Sequence, residues 1–130
     1  MILNPIAILL AALSTFVIGG LWYSLLFAKP WQRAAGVTDE QLKRGAARIF
    51  VGSALLALVM AASLAAFIGS AGLAFGLFAG LASGLTFVAA AFGVNYLFER
   101  RSLRLFAINA SYNVVAFTIM GLIIGTMQAQ

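Results

Sequence analysis

Four long apolar runs alternate with one polar stretch and two short links along this chain. The runs cover about residues 5–27, 49–68, 73–98 and 103–126. Each reaches the roughly 20 residues that a helix needs to cross the hydrocarbon layer of a bilayer. In lipid, a single run can satisfy its backbone only by closing i→i−4 hydrogen bonds, so each run reads as a helix. Asn4 before Pro5 predicts the first helix start, with Asn as the cap and Pro at the first helical position. The link Gly69-Ser70-Ala71-Gly72 is short enough to force an antiparallel pair. A tight turn at Glu99-Arg100-Arg101-Ser102 does the same for the last two runs.

Residues 28–48 form the one polar stretch. Pro30 and Gly36 are expected to break it. Thr38-Asp39-Glu40-Gln41 is a capping-box pattern that opens a short helix. Asp39 with Lys43, and Glu40 with Arg44, stand four residues apart in the favourable order. Leu42, Ala46 and Ile49 share a side, so this helix either lies on the membrane surface or extends the second span. The predicted fold is all-α: one integral membrane domain over residues 1–130, with four transmembrane helices in two antiparallel hairpins and a short amphipathic helix in the first loop.

Composition decides the solvent. The chain is 64% hydrophobic and 8% charged, with a mean hydropathy of +1.08. Soluble domains carry about 25% charged residues, so lipid must surround this one. The first run lacks a basic leader, is too long for a signal core, and is followed by Lys29-Pro30-Trp31 instead of a small-residue cleavage site. It reads as a retained helix.

Charge decides the expected orientation. All eight Lys and Arg fall in 28–48 and 99–104. The positive-inside rule places both loops in the cytoplasm and both termini outside. It also accounts for the net charge of +5 without nucleic acid. Trp22, Tyr23, Trp31 and Tyr96 cluster near the cytoplasmic ends, as an interfacial belt should. The basic loops are expected to attract anionic lipid headgroups.

Small residues recur every fourth position, which marks faces where helices approach closely. The first run has Ala7, Ala11, Thr15 and Gly19. The second has Ser53, Ala57, Ala61, Ala65 and Gly69. The third has Gly72, Gly76, Gly80 and Gly84, with Gly121 and Gly125 as a shorter echo in the fourth. The glycine row either packs spans two and three within one subunit or mates with the same row of a second copy. A homo-oligomer or a membrane-protein partner is expected in either case.

Chemistry is thin. Cysteine and histidine are absent, which excludes disulfides, zinc–thiolate sites and imidazole catalysis. The only acids, Asp39, Glu40 and Glu99, lie outside the spans. No Asp, Glu, Lys or Arg sits deep in a run to mark a proton or ion path. No nucleophile–base pair, metal site or cofactor site is expected, and the protein reads as no enzyme. The candidate polar site inside the runs is Asn95, Tyr96, Asn109, Tyr112 and Asn113. Eleven residues separate Gly84 from Asn95, close to three turns, so Asn95 is expected near the glycine face. These groups serve either as interhelical hydrogen-bonding glue or as a polar vestibule open to the cytoplasm. Glu99 is expected as a solvated charge or as a bridge to Arg33 or Lys29.

Two blocks carry a resemblance. Leu21-Trp22-Tyr23-Ser24 with Phe27-Ala28-Lys29-Pro30-Trp31, and Asn95-Tyr96-Leu97-Phe98-Glu99 with Leu105-Phe106-Ala107-Ile108-Asn109-Ala110, are similar to domain-of-unknown-function family 1761. The likeness spans nearly the whole chain and implies a four-helix protein of the bacterial inner membrane with no settled activity. Recurring positions of that family would fall on Trp22, Tyr23, Lys29, Trp31, Asn95, Tyr96, Glu99 and Asn109. Leu25 and Asn113 depart from its pattern. The functional expectation is a non-enzymatic membrane protein that packs or oligomerises through small-residue faces, as an accessory subunit of a larger complex. The alternative is a small channel or carrier for a neutral or anionic solute.

Overall fold

The computed structural model describes residues 3–129. All four spans form, as Pro5–Leu26, Ala46–Ile68, Leu73–Phe98 and Leu103–Met127. The chain is an all-α polytopic membrane protein. Helix α1 (Pro5–Gly20) continues through a wide π turn at Leu21–Leu26. Two short helices follow, α2 (Ala28–Ala35) and α3 (Asp39–Lys43). Helix α4 (Ala46–Ile68) is the second span. The third is α5 (Leu73–Ala82), a second π turn (Ser83–Ala89) and α6 (Ala90–Phe98). Helix α7 (Leu103–Met127) is the fourth.

Helix starts obey local chemistry. The Asn4 side chain accepts from the amides of Ile6 and Ala7 at 3.0 and 3.1 Å. Thr38 and Gln41 exchange reciprocal bonds of 3.2 and 2.8 Å. These contacts satisfy amides that the first turn leaves without partners. Pro30 does not break the chain as expected. It sits in the first turn of α2, where a missing N–H removes no helical bond. Gly36 ends that helix in the left-handed region at φ 73, and the Gly36 and Val37 amides turn back to Gln32 O. Helix α3 is exposed and is not an extension of the second span, because Gly45 at φ 64 separates it from α4.

Both basic loops lie at one end, hereafter the basic end, where Arg101 Nη1 donates to Ala35 O at 3.4 Å. The expected bridge from Glu99 to Arg33 or Lys29 is not formed. Glu99 instead meets Arg101 at 3.5 Å. Among the described residues, Glu40 pairs with Arg44 at 3.7 Å, while Asp39 accepts from Gln32 rather than pairing with Lys43.

Helix α7 is the hub. It packs against α1, α4 and α5 and is the most buried span. Its Met120 and Ile124 are fully buried, surrounded by Phe117, Leu64 and Ile68. The small rows Ala7, Ala11, Thr15 and Ala57, Ala61, Ala65 are all buried, which lets α1 and α4 come close. Ser53, assigned to the second row, is exposed. Gly69 caps α4 in a glycine-only conformation, at φ 54 and ψ −133.

The glycine row corrects one expectation. It packs against span four of the same chain, not against span two. A Cβ on Gly76 would strike Gly121 O and lie 2.8 Å from Gly125 Cα. One on Gly84 would lie 3.0 Å from both Phe117 Cβ and Val114 Cα. The echo Gly121 and Gly125 is the other half of this seam. A Cβ on Gly72 would meet nothing within 4 Å, but the Gly72 carbonyl oxygen would lie 2.7 Å from a Cβ on Gly125, and Gly72 also caps α5 at φ 103.

Candidate functional site

The polar residues of the spans gather at the basic end of α7. The π turn in span one bonds Phe27 N to Trp22 O at 2.8 Å, an i→i−5 contact. Both aromatic residues of that turn reach α7. Trp22 Nε1 donates to Ile108 O at 3.1 Å and to Ser111 Oγ at 3.2 Å. Tyr23 Oη donates to Asn109 Oδ1 at 2.6 Å. From the other side, Asn109 Nδ2 donates to Tyr96 Oη at 2.8 Å. One amide therefore joins α6, α7 and the end of span one.

Aromatic rings surround this amide. Tyr23 stands edge-on to Tyr112 at 5.2 Å and to Trp31 of α2 at 5.5 Å, geometries favoured by the ring quadrupole. Tyr112 Oη donates to Thr15 O at 3.0 Å and lies over Gly19, which leaves room for the ring. Asn113 bonds within its own helix, to Asn109 O at 2.8 Å. Among the described residues, no buried side-chain nitrogen or oxygen lacks a hydrogen-bond partner.

Asn95 is not part of the cluster. It is exposed, and the reason is the π turn at Ser83–Ala89. A π turn inserts one residue, about 100° of helical phase. Counting eleven residues from Gly84 as regular helix placed Asn95 on the packed face. The inserted residue rotates it away and brings Tyr96 there instead. Lys29, Glu99, Arg100 and Arg101 are exposed, while Trp22, Tyr23 and Trp31 are half-buried and bind helices together. Their role is packing at least as much as anchoring at the interface.

Two clefts open at the basic end. One, of about 480 Å³, lies along α2 beside Lys29, Arg33 and Asp39. The other, of about 350 Å³, lies between α6 and α7 beside Gly93, Tyr96, Arg101 and Phe106. At the opposite end, Gln128 ties three elements. Its Oε1 accepts from Asn4 N at 3.0 Å, and its Nε2 donates to Ala65 O and Gly69 O at 3.1 and 3.0 Å. Sequence reading missed this residue, because a lone Gln after an apolar run carries no signal of burial. Ser111 was missed too, although it stands beside Tyr112 on the same polar stretch of α7.

Four apolar helices around a satisfied polar cluster define a multi-pass membrane protein. The chain belongs to the DUF1761 family, described as proteins of unknown function, whose family model matches residues 6–125. No curated protein and no solved structure matches the chain.

Proposed function

We propose that the protein is a non-enzymatic, accessory component of the bacterial inner membrane, with both termini outside. The observation that carries this reading is the mutual pairing within the polar cluster. Tyr23, Tyr96, Asn109, Tyr112 and Trp22 spend their hydrogen bonds on one another or on backbone carbonyls. A conduit for solute needs polar groups turned toward a path, whereas these hold helices together. The one-sided distribution of Lys and Arg supports the orientation and favours anionic lipid around the basic end.

The small-residue rows are consumed inside the chain, so assembly with a second copy or a different membrane protein falls to other surfaces. Two are available at the basic end. The first half of α4 is largely exposed, with Phe50 at 61% and Leu56 at 65%. Asn95 places an amide on the outer face of α6.

Purified protein in liposomes tests the proposal against a panel of anions and small neutral solutes. Passive vesicles are the expected result. A flux above empty liposomes that is lost in Asn109→Leu would refute the accessory reading in favour of a carrier. A stoichiometric complex with a different membrane protein, weakened by Asn95→Leu, would support it.

A further inference from the structure

We infer that the cleft between α6 and α7 holds one anionic phospholipid, its chains on the apolar wall and its phosphate at Arg101. The cleft spans the last turn of α6 and the first turn of α7. In a spanning protein this is the depth where hydrocarbon gives way to headgroups. Gly93 forms the back, and its missing side chain lets the Phe106 ring lie where a Cβ would be only 3.2 Å away. Leu97 and Leu103 form the lips, 79% and 80% exposed. The Tyr96 hydroxyl is engaged by Asn109, so that residue offers its ring to the groove.

The mouth has opposite chemistry. Arg101 and Ser102 stand there, and Ser102 Oγ is committed to capping Leu105 N at 3.1 Å. The Arg101 guanidinium touches Glu99 through Nε at 3.5 Å and Ala35 O through Nη1 at 3.4 Å, and its side chain stays 43% exposed. Glu99 is the one acid of the segment. Three arginines against it leave residues 99–104 at net +2. An apolar groove with a cation at its rim matches an amphiphile, not a free phosphate, which would leave the wall unused. Excess positive charge selects an anionic headgroup over a zwitterionic one.

Native mass spectrometry of the full chain, released from mild detergent with added lipid, tests the inference. One long-chain phosphatidylglycerol is expected to stay bound, with phosphatidylcholine of the same chains held more weakly. Arg101→Gln is expected to cut phosphatidylglycerol retention about tenfold, the effect of losing one charge-assisted contact. Arg44→Gln, in the other basic loop, is expected to change nothing. Equal loss in both variants would mean diffuse attraction to a basic surface and would overturn the site. So would retention of dihexanoyl phosphatidylglycerol or glycerol phosphate equal to that of the long-chain lipid, because the apolar wall would then contribute nothing.

Discussion

Replacing Gly80 by Ala adds one methyl group where the third and fourth spans touch. An added Cβ would meet Phe117 O and lie 2.9 Å from Phe117 C and 3.1 Å from Thr118 Cα. Carbon contacts are comfortable near about 3.5 Å and beyond. All three obstacles are backbone atoms, so no change of rotamer relieves them. Helix α5 must move outward by roughly 0.5–1 Å, a gap that forfeits about a quarter to a half of each van der Waals contact along the seam. Overpacking of a close interface costs about 1–3 kcal/mol, and a contact fixed by two backbones belongs at the upper end, about 2–3 kcal/mol. Gly20→Ala is the control, since nothing lies within 4 Å of its added carbon and its backbone is already helical at φ −60. Reversible unfolding by SDS titration from mild detergent measures both, with light scattering to record the mass. Gly80→Ala should be destabilised at unchanged mass, and Gly20→Ala should match the parent or gain up to about 1 kcal/mol. Equal stability of the two variants would refute the seam. A change of mass in Gly80→Ala alone would return the glycine row to an interface between copies.

Asn109→Leu removes the bonds to Tyr23 and Tyr96 and should cost about 1–2 kcal/mol in the same titration, at about 0.6 kcal/mol or more for each bond in a membrane. Asn95→Leu, on the exposed face, should be neutral within about 0.5 kcal/mol. Gln128→Ala should speed hydrogen exchange at the Asn4, Ile6 and Ala7 amides, because the staple on Asn4 is lost; unchanged protection there would show that the staple is idle. For orientation, Ser70→Cys should react with an impermeant maleimide in intact cells and Leu42→Cys only after lysis. The reverse pattern would invert the topology.

Much of the fold was legible because it rests on local rules. Run lengths located the spans, since hydropathy over some twenty residues leaves few alternatives. Asn4 before Pro5 and the Thr38–Gln41 box located helix starts through their own hydrogen bonds. The wide turns were not legible. Nothing in Leu21–Leu26 or Ser83–Ala89 announces an i→i−5 bond, and every phase count across them is off by one residue. That single residue separates Asn95, read onto the glycine face but exposed, from Tyr96, which is half-buried there. The pairing of the glycine row was only half legible. Spacing shows that a face is smooth and does not show which helix it meets, although the matching spacing of Gly121 and Gly125 was the available clue. Gln128 depended on three elements meeting, which no local pattern encodes.

The span that touches all the others is synthesised after them. While it is still inside the ribosome, α1 and α4 can already dock on each other, but the smooth face of α5 has nothing to rest against. On that order α5 enters the bilayer with only its limited contacts to α4, and its smooth face stays turned to lipid until the fourth span arrives. Capture by membrane chaperones or proteases would fall in that interval, and the fourth helix would act as the keystone that ends it.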